Sequence, residues 1–170
     1  HAIMGIINMT PDSFSDGGKY NSFKKANQRI KKLIKSGTDI IDIGGESTRP
    51  GSKVINPKNE LERVKSVIKK FKKSFPKTLL SIDTRKSEVI DYAVKVKADI
   101  VNDVSCFKFD QNSHKLVRNK NIWKIIHHMR GTPQTMQINP KYHHVLLDIY
   151  DFFEKEISNF KNDKYKKKLI

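Results

Sequence analysis

Short apolar segments alternate with amphipathic segments along the whole chain, and this alternation is the feature that most restricts its fold. The apolar segments are short enough to be buried strands, and the amphipathic ones repeat apolar residues at helical spacing. The predicted strands are 2–9, 39–44, 78–83, 99–103 and 122–127. The predicted helices are 22–37, 59–71, 87–96, a short one near 113–119, and 142–160. Alternation of this kind favours a parallel α/β sheet, and Leu169 and Ile170 would begin a sixth strand.

The first helix illustrates the pattern. Ser22 can serve as its N-cap and Gly37 can end it. Between them one face carries only apolar side chains, those of Ala26, Ile30, Leu33 and Ile34.

Two architectures fit the alternation: a doubly wound open sheet and a (β/α)8 barrel. A mononucleotide-binding open sheet usually has a glycine-rich turn between its first strand and first helix. The corresponding segment, SDGGKYNSF (15–23), contains glycines but lacks the G-x-G-x-x-G spacing. We therefore expect the barrel, in which every strand ends at the same mouth.

Polar side chains stand at the end of every predicted strand. They are Asn8, Asp42, Asp83, Asn102 with Asp103, and His127 with His128. In a barrel these residues meet at the mouth, where such enzymes place their chemistry. For Asp103 and Ser87 the alternative is capping of the following helix.

The residue types at these positions indicate the chemistry of a ligand. Inward Asp and Asn side chains suit a flat heterocycle rich in N–H and C=O groups, and one Asp can accept two hydrogen bonds from an amino-amidine edge. After the second strand, Thr48 and Arg49 suit a phosphate or a carboxylate. Glu46 could instead pair with Arg49. The sequence has no paired cysteines or H-E-x-x-H motif, and at most one of His127 and His128 can face the mouth.

The net charge of +16 raises the alternative of a basic scaffold or nucleic-acid binder, which steep salt dependence of DNA binding would support. The excess comes from 28 lysines against 6 arginines, spread along helices as solvated faces, so we expect no nucleic-acid partner. No apolar segment approaches the ~20 residues of a membrane helix, so no membrane partner is expected. The single cysteine, Cys106, fits a cytoplasmic location.

Five segments together carry a resemblance to a known family. GIINMTPDSFSDGG (5–18) and DIGGESTRPGS (42–52) resemble the two signature segments of dihydropteroate synthase. SIDTRKSEVIDYA, ADIVNDVS and HHMRGTPQTMQ resemble its next three strand ends, in the same order. The resemblance covers essentially the whole chain and implies a barrel that makes a folate precursor. Such an enzyme displaces pyrophosphate from 6-hydroxymethyl-7,8-dihydropterin pyrophosphate with the amine of 4-aminobenzoate. A methyltransferase that handles methyltetrahydrofolate shares the barrel but does not need the first two segments.

The resemblance also implies roles for the residues at the strand ends. Asp83 and Asn102 match positions that bind the pterin ring, and Asp83 is expected to contribute to catalysis. Asp42 matches an acid that would also bind substrate. Asn8 matches a residue that meets Mg²⁺ and the pyrophosphate, so Mg²⁺ is the expected cofactor.

Residues in the two loops have implied roles as well. Thr48 and Arg49 match positions near the pyrophosphate and the aminobenzoate, and Arg49 is the second residue expected in catalysis. Phe14 matches a side chain that covers the aminobenzoate, in a loop that would close over bound substrate. The family reaction is thought to be dissociative and uses no protein nucleophile, so positioning and charge stabilisation would be the enzyme's contribution.

The length departs from the family pattern. A barrel needs about 250 residues, and the 170 residues here supply five units and the beginning of a sixth. The family's Asp-Pro-Gly, Ser-Arg-Lys and Arg-x-His segments on strands 6 to 8 are absent from this sequence. We therefore expect one incomplete pterin-binding domain, residues 1–170, that is inactive alone, whether as a fragment or as the product of a broken gene. The full-length protein is expected to form a homodimer.

Overall fold

The structure is a computed structural model, and it describes residues 1–10, 18–47, 52–132 and 135–170, with side chains from residue 23 onward in the first helix. Five strands alternate with five helices. In chain order they are β1 (Met4–Asn8), α1 (Gly18–Lys35), β2 (Ile40–Gly44), α2 (Pro57–Ser74), β3 (Leu79–Asp83), α3 (Ser87–Lys95), β4 (Ile100–Asp103), α4 (Gln111–Val117), β5 (Trp123–Ile126) and α5 (Val145–Asn159). No described helix has the length and apolar character that a membrane crossing requires.

The strands lie in the sheet in the same order as in the chain, β1-β2-β3-β4-β5, and each neighbouring pair is parallel. A doubly wound sheet reverses its strand order at a switch point, and no reversal occurs among the described strands. Successive helices α1 to α4 contact one another along the chain. The helices therefore cover one face of the sheet, as they do in a barrel.

The sheet continues beyond β5. Leu169 forms a parallel bridge with Lys124, and the Ile126 N–H donates to the Ile170 carbonyl at 2.9 Å. This pairing confirms the prediction that a sixth strand begins at the last two residues.

Alternation along each strand separates two environments. One set of side chains packs under the helices, namely Ile7, Ile41, Ile43, Leu80, Ile82 and Val101. The residues between them turn to the other face of the sheet, and toward its carboxyl edge these are polar: Asp42, Ser81, Asp83 and Asn102. The helix-covered face is the core, so the opposite face is left for the polar groups.

The predicted helix limits need several corrections, since α2 extends over Pro57–Ser74 and α5 begins only at Val145. Helix α1 begins at Gly18, so Ser22 lies inside the helix and its assignment as N-cap is wrong. Ser87 is the first residue of α3 and Lys86 is its N-cap, so the capping assignment of Ser87 is wrong; the Ser87 N–H donates to Asp110 Oδ2 at 2.9 Å. Helix α4 begins at Gln111, two residues before the predicted start, where Asp110 Oδ1 accepts from the Asn112 N–H. One aspartate thus satisfies the first turns of two helices.

The turns that lead into β2 and β4 have the same design. Gly37 and Lys97 both adopt positive φ, 92° and 63°, at the end of the preceding helix. The residue after each donates back into that helix, from Thr38 to Leu33 and from Ala98 to Ala93. The same motif thus ends both helices, with glycine at one site and a residue that bears a Cβ at the other.

An aspartate follows each of these turns and connects it to the preceding strand. Asp39 Oδ2 accepts from the Ile3 N–H at 2.8 Å, and Asp99 Oδ2 accepts from the Leu80 N–H at 2.7 Å. Since both backbones enter the sheet in the same way, the two turns form a matched pair for mutation.

We expect exchanges at these two positions to have opposite effects on stability. Gly37→Lys should lower the free energy of unfolding by about 1 kcal/mol, because a side chain with a Cβ disfavours positive φ. Lys97→Gly should raise it by up to about 1 kcal/mol for the same reason. An added Cβ at Gly37 has no atom within 4 Å, so the effect is confined to the backbone. Urea unfolding measures both changes, and loss of stability in Lys97→Gly would contradict this explanation.

Candidate functional site

The parallel register brings the predicted strand-end residues together at the carboxyl edge. Asn8 pairs with Gly44, Gly44 with Asp83, and Asp83 with Asn102. Asp42 lies two positions before Gly44, on the same face and level with Ser81. Four residues predicted from separate strands therefore share one surface, and Asn8 at its end is exposed to solvent.

A chain of hydrogen bonds crosses this surface from β2 to the end of β5. Asn102 Nδ2 donates to Asp42 Oδ2 at 3.1 Å, and His127 Nε2 lies 2.5 Å from Asn102 Oδ1. His128 turns the other way, where its ring contacts those of Tyr142 and Phe152. This confirms that only one of the two histidines faces the mouth.

Burial shapes the electrostatics of this hydrogen-bonded chain. It raises the pKa of Asp42 and lowers the pKa of His127, so the imidazole is neutral at neutral pH. Asp42 Oδ1 and the Ser81 hydroxyl are buried with no other hydrogen-bond partner among the described residues, and a hydrogen bond between Ser81 and Asp42 acts against burial on the pKa of Asp42. Buried polar atoms are nearly always paired in folded proteins, so these two groups, level with each other in the sheet, are natural partners.

Asp83 is the most perturbed acid of the surface. Burial, together with the nearby carboxylates of Asp42, Glu60, Asp103 and Glu46, raises its pKa to about 8. No hydrogen bond from any residue that the structure describes reaches its carboxyl group. The Asp83 side chain instead lies over Gly44, where an added Cβ would be 3.1 Å from Oδ2. Glycine at position 44 therefore leaves room for this carboxyl group.

Behind this surface lies a buried ion network that sequence reasoning did not identify. Glu46, just after β2, accepts from Arg85 Nε at 2.8 Å and from Lys86 Nζ at 2.7 Å. Lys86 Nζ also contacts Glu60 Oε2 of α2 at 2.5 Å, and the Thr84 hydroxyl donates to Glu60 Oε1. All four charged side chains are buried, two of each sign.

The network joins the segment after β2 to the turn after β3. Burial acts to raise the pKa of Glu46, but hydrogen bonds from Arg85 and Lys86 outweigh it and hold that pKa below its usual value. The Ile55 N–H also donates to Glu46, and the Arg85 guanidinium lies over the Phe109 ring at 3.9 Å. The alternative pairing of Glu46 with Arg49 is not tested, because Arg49 lies outside the described residues.

Asp103 has a structural role. Its carboxyl group accepts from the Ser105 N–H, the Ser105 hydroxyl and the Phe107 N–H, and burial raises its pKa to about 6. These bonds support a turn in which Cys106 and Phe107 have positive φ. The capping interpretation of Asp103 is therefore wrong, since α4 begins later and Asp110 caps it.

The other predicted site residues, Phe14, Thr48 and Arg49, lie outside the residues that the structure describes, so their implied roles stay predictions. Within the described ranges no group of three or more His, Cys, Asp or Glu side chains could hold a metal ion. Asn8 offers one side-chain oxygen, which fits Mg²⁺ because that ion commonly uses one or two protein ligands and completes its shell with phosphates and water.

A comparison with protein families supports the inference from this geometry. The model of the family described as "Pterin binding enzyme" matches residues 4–170. This chain belongs to the pterin-binding enzyme family.

Its curated relatives within the family are longer than this chain. It is 39% identical to the dihydropteroate synthase of Escherichia coli strain K12 over 156 residues, which cover 92% of this chain and 55% of that protein. It is also 39% identical to the dihydropteroate synthase of Synechocystis, over 91% of this chain and 53% of that one. A folate synthesis bifunctional protein of Arabidopsis thaliana is 44% identical over 86% of this chain and 31% of its own length. The chain thus spans about half the length of the two bacterial relatives.

Solved structures of similar proteins agree with the fold. The dihydropteroate synthase of Yersinia pestis in a sulfonamide drug complex has a TM-score of 0.90 and 36% identity, over 99% of this chain and 61% of that one. The Xanthomonas albilineans enzyme with 4-aminobenzoic acid has a TM-score of 0.86 and 33% identity, over 99% and 59%. These similarities confirm the predicted family and barrel fold, of which this chain shows five βα units.

Replacement of the perturbed acid should stabilise this member of the pterin-binding enzyme family at high pH. The pKa of Asp83 is about 8 in the folded chain against an ordinary value of 3.8, so the folded state retains a proton that the unfolded chain releases. Stability contributed by Asp83 is therefore lost as pH rises from about 4 to 8. Asp83→Asn should raise the Tm more at pH 9 than at pH 4, measured by thermal unfolding.

The matched control is Asp91→Asn, on the exposed surface of α3. The difference in Tm between Asp91→Asn and the parent chain should be the same at pH 9 as at pH 4. A Tm change in Asp83→Asn that is equal at both pH values would refute the assignment of Asp83 as a partly buried acid without a compensating partner.

The buried network should be far more sensitive to mutation than a surface ion pair. Lys86→Met leaves Glu60 buried with only the Thr84 hydroxyl as a partner, and breaking a buried pair costs about 3–5 kcal/mol. Lys95→Met removes an exposed pair with Asp91 and should cost less than about 0.5 kcal/mol. Urea unfolding compares the two variants, and equal losses would show that the network adds nothing beyond surface pairing.

Proposed function

We propose that this chain carries the pterin-ring site of a dihydropteroate synthase. The observation that supports this most directly is the Asp83 carboxyl group, which is perturbed, without a hydrogen bond among the described residues, and adjacent to Asn102 at the barrel mouth. Family membership and the relatives' names support the same conclusion.

The site offers groups that complement a pterin. The Asp83 carboxylate can accept two hydrogen bonds from the amino-amidine edge of the ring, and the paired charge-assisted bonds favour that edge over neutral heterocycles. Asn102 adds an amide donor, and Asp42 supplies a further carboxyl group beneath it. Ionisation of Asp83 on binding would release a proton at neutral pH, because its pKa in the free site is about 8.

The proposed reaction joins the methylene carbon of the pterin pyrophosphate to the amine nitrogen of 4-aminobenzoate. The carbon–oxygen bond to pyrophosphate breaks, and the amine loses a proton to solvent. Asp83 and Asn102 would fix the ring so that its methylene carbon points out of the mouth. Arg49 and Thr48 would stabilise charge on the leaving pyrophosphate and bind the aminobenzoate, and Phe14 would cover that substrate.

Asn8 is the residue that would contribute to a Mg²⁺ site, through its side-chain oxygen. Bound there, Mg²⁺ would neutralise charge on the pyrophosphate oxygens. The homodimer and the cytoplasmic location remain predictions from the sequence.

The test uses a chimera in which the part of the Escherichia coli relative that follows the aligned region is fused after Ile170. Its synthase activity is measured with the pterin pyrophosphate and 4-aminobenzoate. Asp83→Asn should lower kcat/KM by about 10- to 100-fold, the usual effect of losing a hydrogen bond to a charged group. Asp91→Asn, outside the site, should leave kcat/KM unchanged.

Two results would overturn the proposal. One is a folded chimera without synthase activity. The other is an Asp83→Asn chimera as active as its parent.

A further inference from the structure

His127 follows β5 directly, and its imidazole is half-buried at the mouth. Its Nε2 lies 2.5 Å from Asn102 Oδ1, while Asn102 Nδ2 donates to Asp42 Oδ2 at 3.1 Å. The amide of Asn102 therefore lies between an imidazole and a carboxyl group. We propose that His127 is a positioning residue for the pterin ring, because its Nε2–H fixes the Asn102 amide with the nitrogen turned toward Asp42 and the bound ring. This inference rests on the proposed function.

Asp42 cannot fix the amide alone. A carboxyl group can accept from Nδ2, as Asp42 Oδ2 does at 3.1 Å, or in its protonated form donate to Oδ1. Either rotamer of the amide would then find a partner on that side. The opposite end of the amide must therefore decide its orientation.

A donor at His127 removes this ambiguity. Burial lowers the pKa of His127, so the imidazole is neutral and carries one N–H. With that proton on Nε2, only Oδ1 of Asn102 can face the imidazole of His127. The amide nitrogen Nδ2 is then directed away from the imidazole, toward Asp42. The backbone carbonyl of His127 accepts a hydrogen bond from the Cys106 thiol at 2.9 Å, which adds a contact to the backbone of this histidine.

The fixed amide has a consequence for ligand choice. One hydrogen of Nδ2 is engaged by Asp42, and the second has no partner among the residues that the structure describes. Asn102 thus presents an N–H, and not a carbonyl oxygen, to the bound pterin ring. The site would select a heterocycle with a hydrogen-bond acceptor next to the edge that Asp83 contacts.

The imidazole tautomer gives the first test and needs no mutation. Nitrogen-15 NMR of the 170-residue chain without ligand should show His127 protonated on Nε2 and unprotonated on Nδ1. Protonation on Nδ1 would overturn the proposal, because Nε2 would then accept from Asn102 instead of donating.

Variants of the chimera give the second test. His127→Met removes the donor while filling similar volume, and it should raise KM for the pterin pyrophosphate about tenfold, with KM for 4-aminobenzoate unchanged. His127→Gln retains an N–H and should restore pterin KM to within about threefold of the parent. If His127 only filled space, Met would replace it without loss. A KM for the pterin pyrophosphate in His127→Met equal to that of the parent chimera would therefore refute the inference.

A double-mutant cycle separates positioning from direct contact. In an Asn102→Ala background, His127→Met should have no further effect on pterin KM, since the amide that it orients is gone. Additive losses would show that His127 acts independently of Asn102, against this proposal. An inactive parent chimera would overturn the proposed function itself, whereas an active parent with no change in His127→Met overturns only the inference about His127.

Discussion

The arrangement of the site depends on the pairing of buried charges between the segment after β2 and the turn after β3. Glu46 and Glu60 are fully compensated by Arg85 and Lys86 in an interior where an unpaired charge would be costly. This pairing fixes the ends of the second and third strands relative to α2. It also engages both cations, and neither forms an ion pair with Asp83 among the described residues.

The carboxylates of the ion network and those at the barrel mouth consequently differ in whether a cation compensates them. Those of the network have partners in the folded chain, and the pKa of Glu46 is held low. Asp83 and Asp42, on the opposite face, have raised pKa values because burial is not offset by a cation. Uncompensated acids lower stability at neutral pH, and such acids are concentrated at binding and catalytic sites. The fold thus separates acids that stabilise the structure from acids available to a ligand.

Much of this architecture could be predicted from local sequence patterns. All five strands and five helices occur where apolar periodicity placed them, and the beginning of a sixth strand at Leu169 is confirmed. The errors concern boundaries and caps. Ser22 is a residue type that favours the N-cap position, yet α1 begins four residues earlier, at Gly18. Asp103 and Ser87 are residue types typical of helix caps. In the structure Asp110 accepts instead from the first turns of both α3 and α4, although it is distant in sequence from α3.

The sequence by itself determined which residues stand at the ends of the strands, because apolar runs and the polar residues that end them are local patterns. Asp42, Asp83 and Asn102 could therefore be named from their positions at the strand ends. Only the tertiary structure decided which of these groups have partners: His127 bonds to Asn102, Lys86 joins Glu46 to Glu60, and Asp83 has no hydrogen bond among the described residues. Hydrogen bonding and burial are set by atoms that are far apart in the chain and meet only when the strands assemble. The protonation states that would govern ligand binding follow from those contacts.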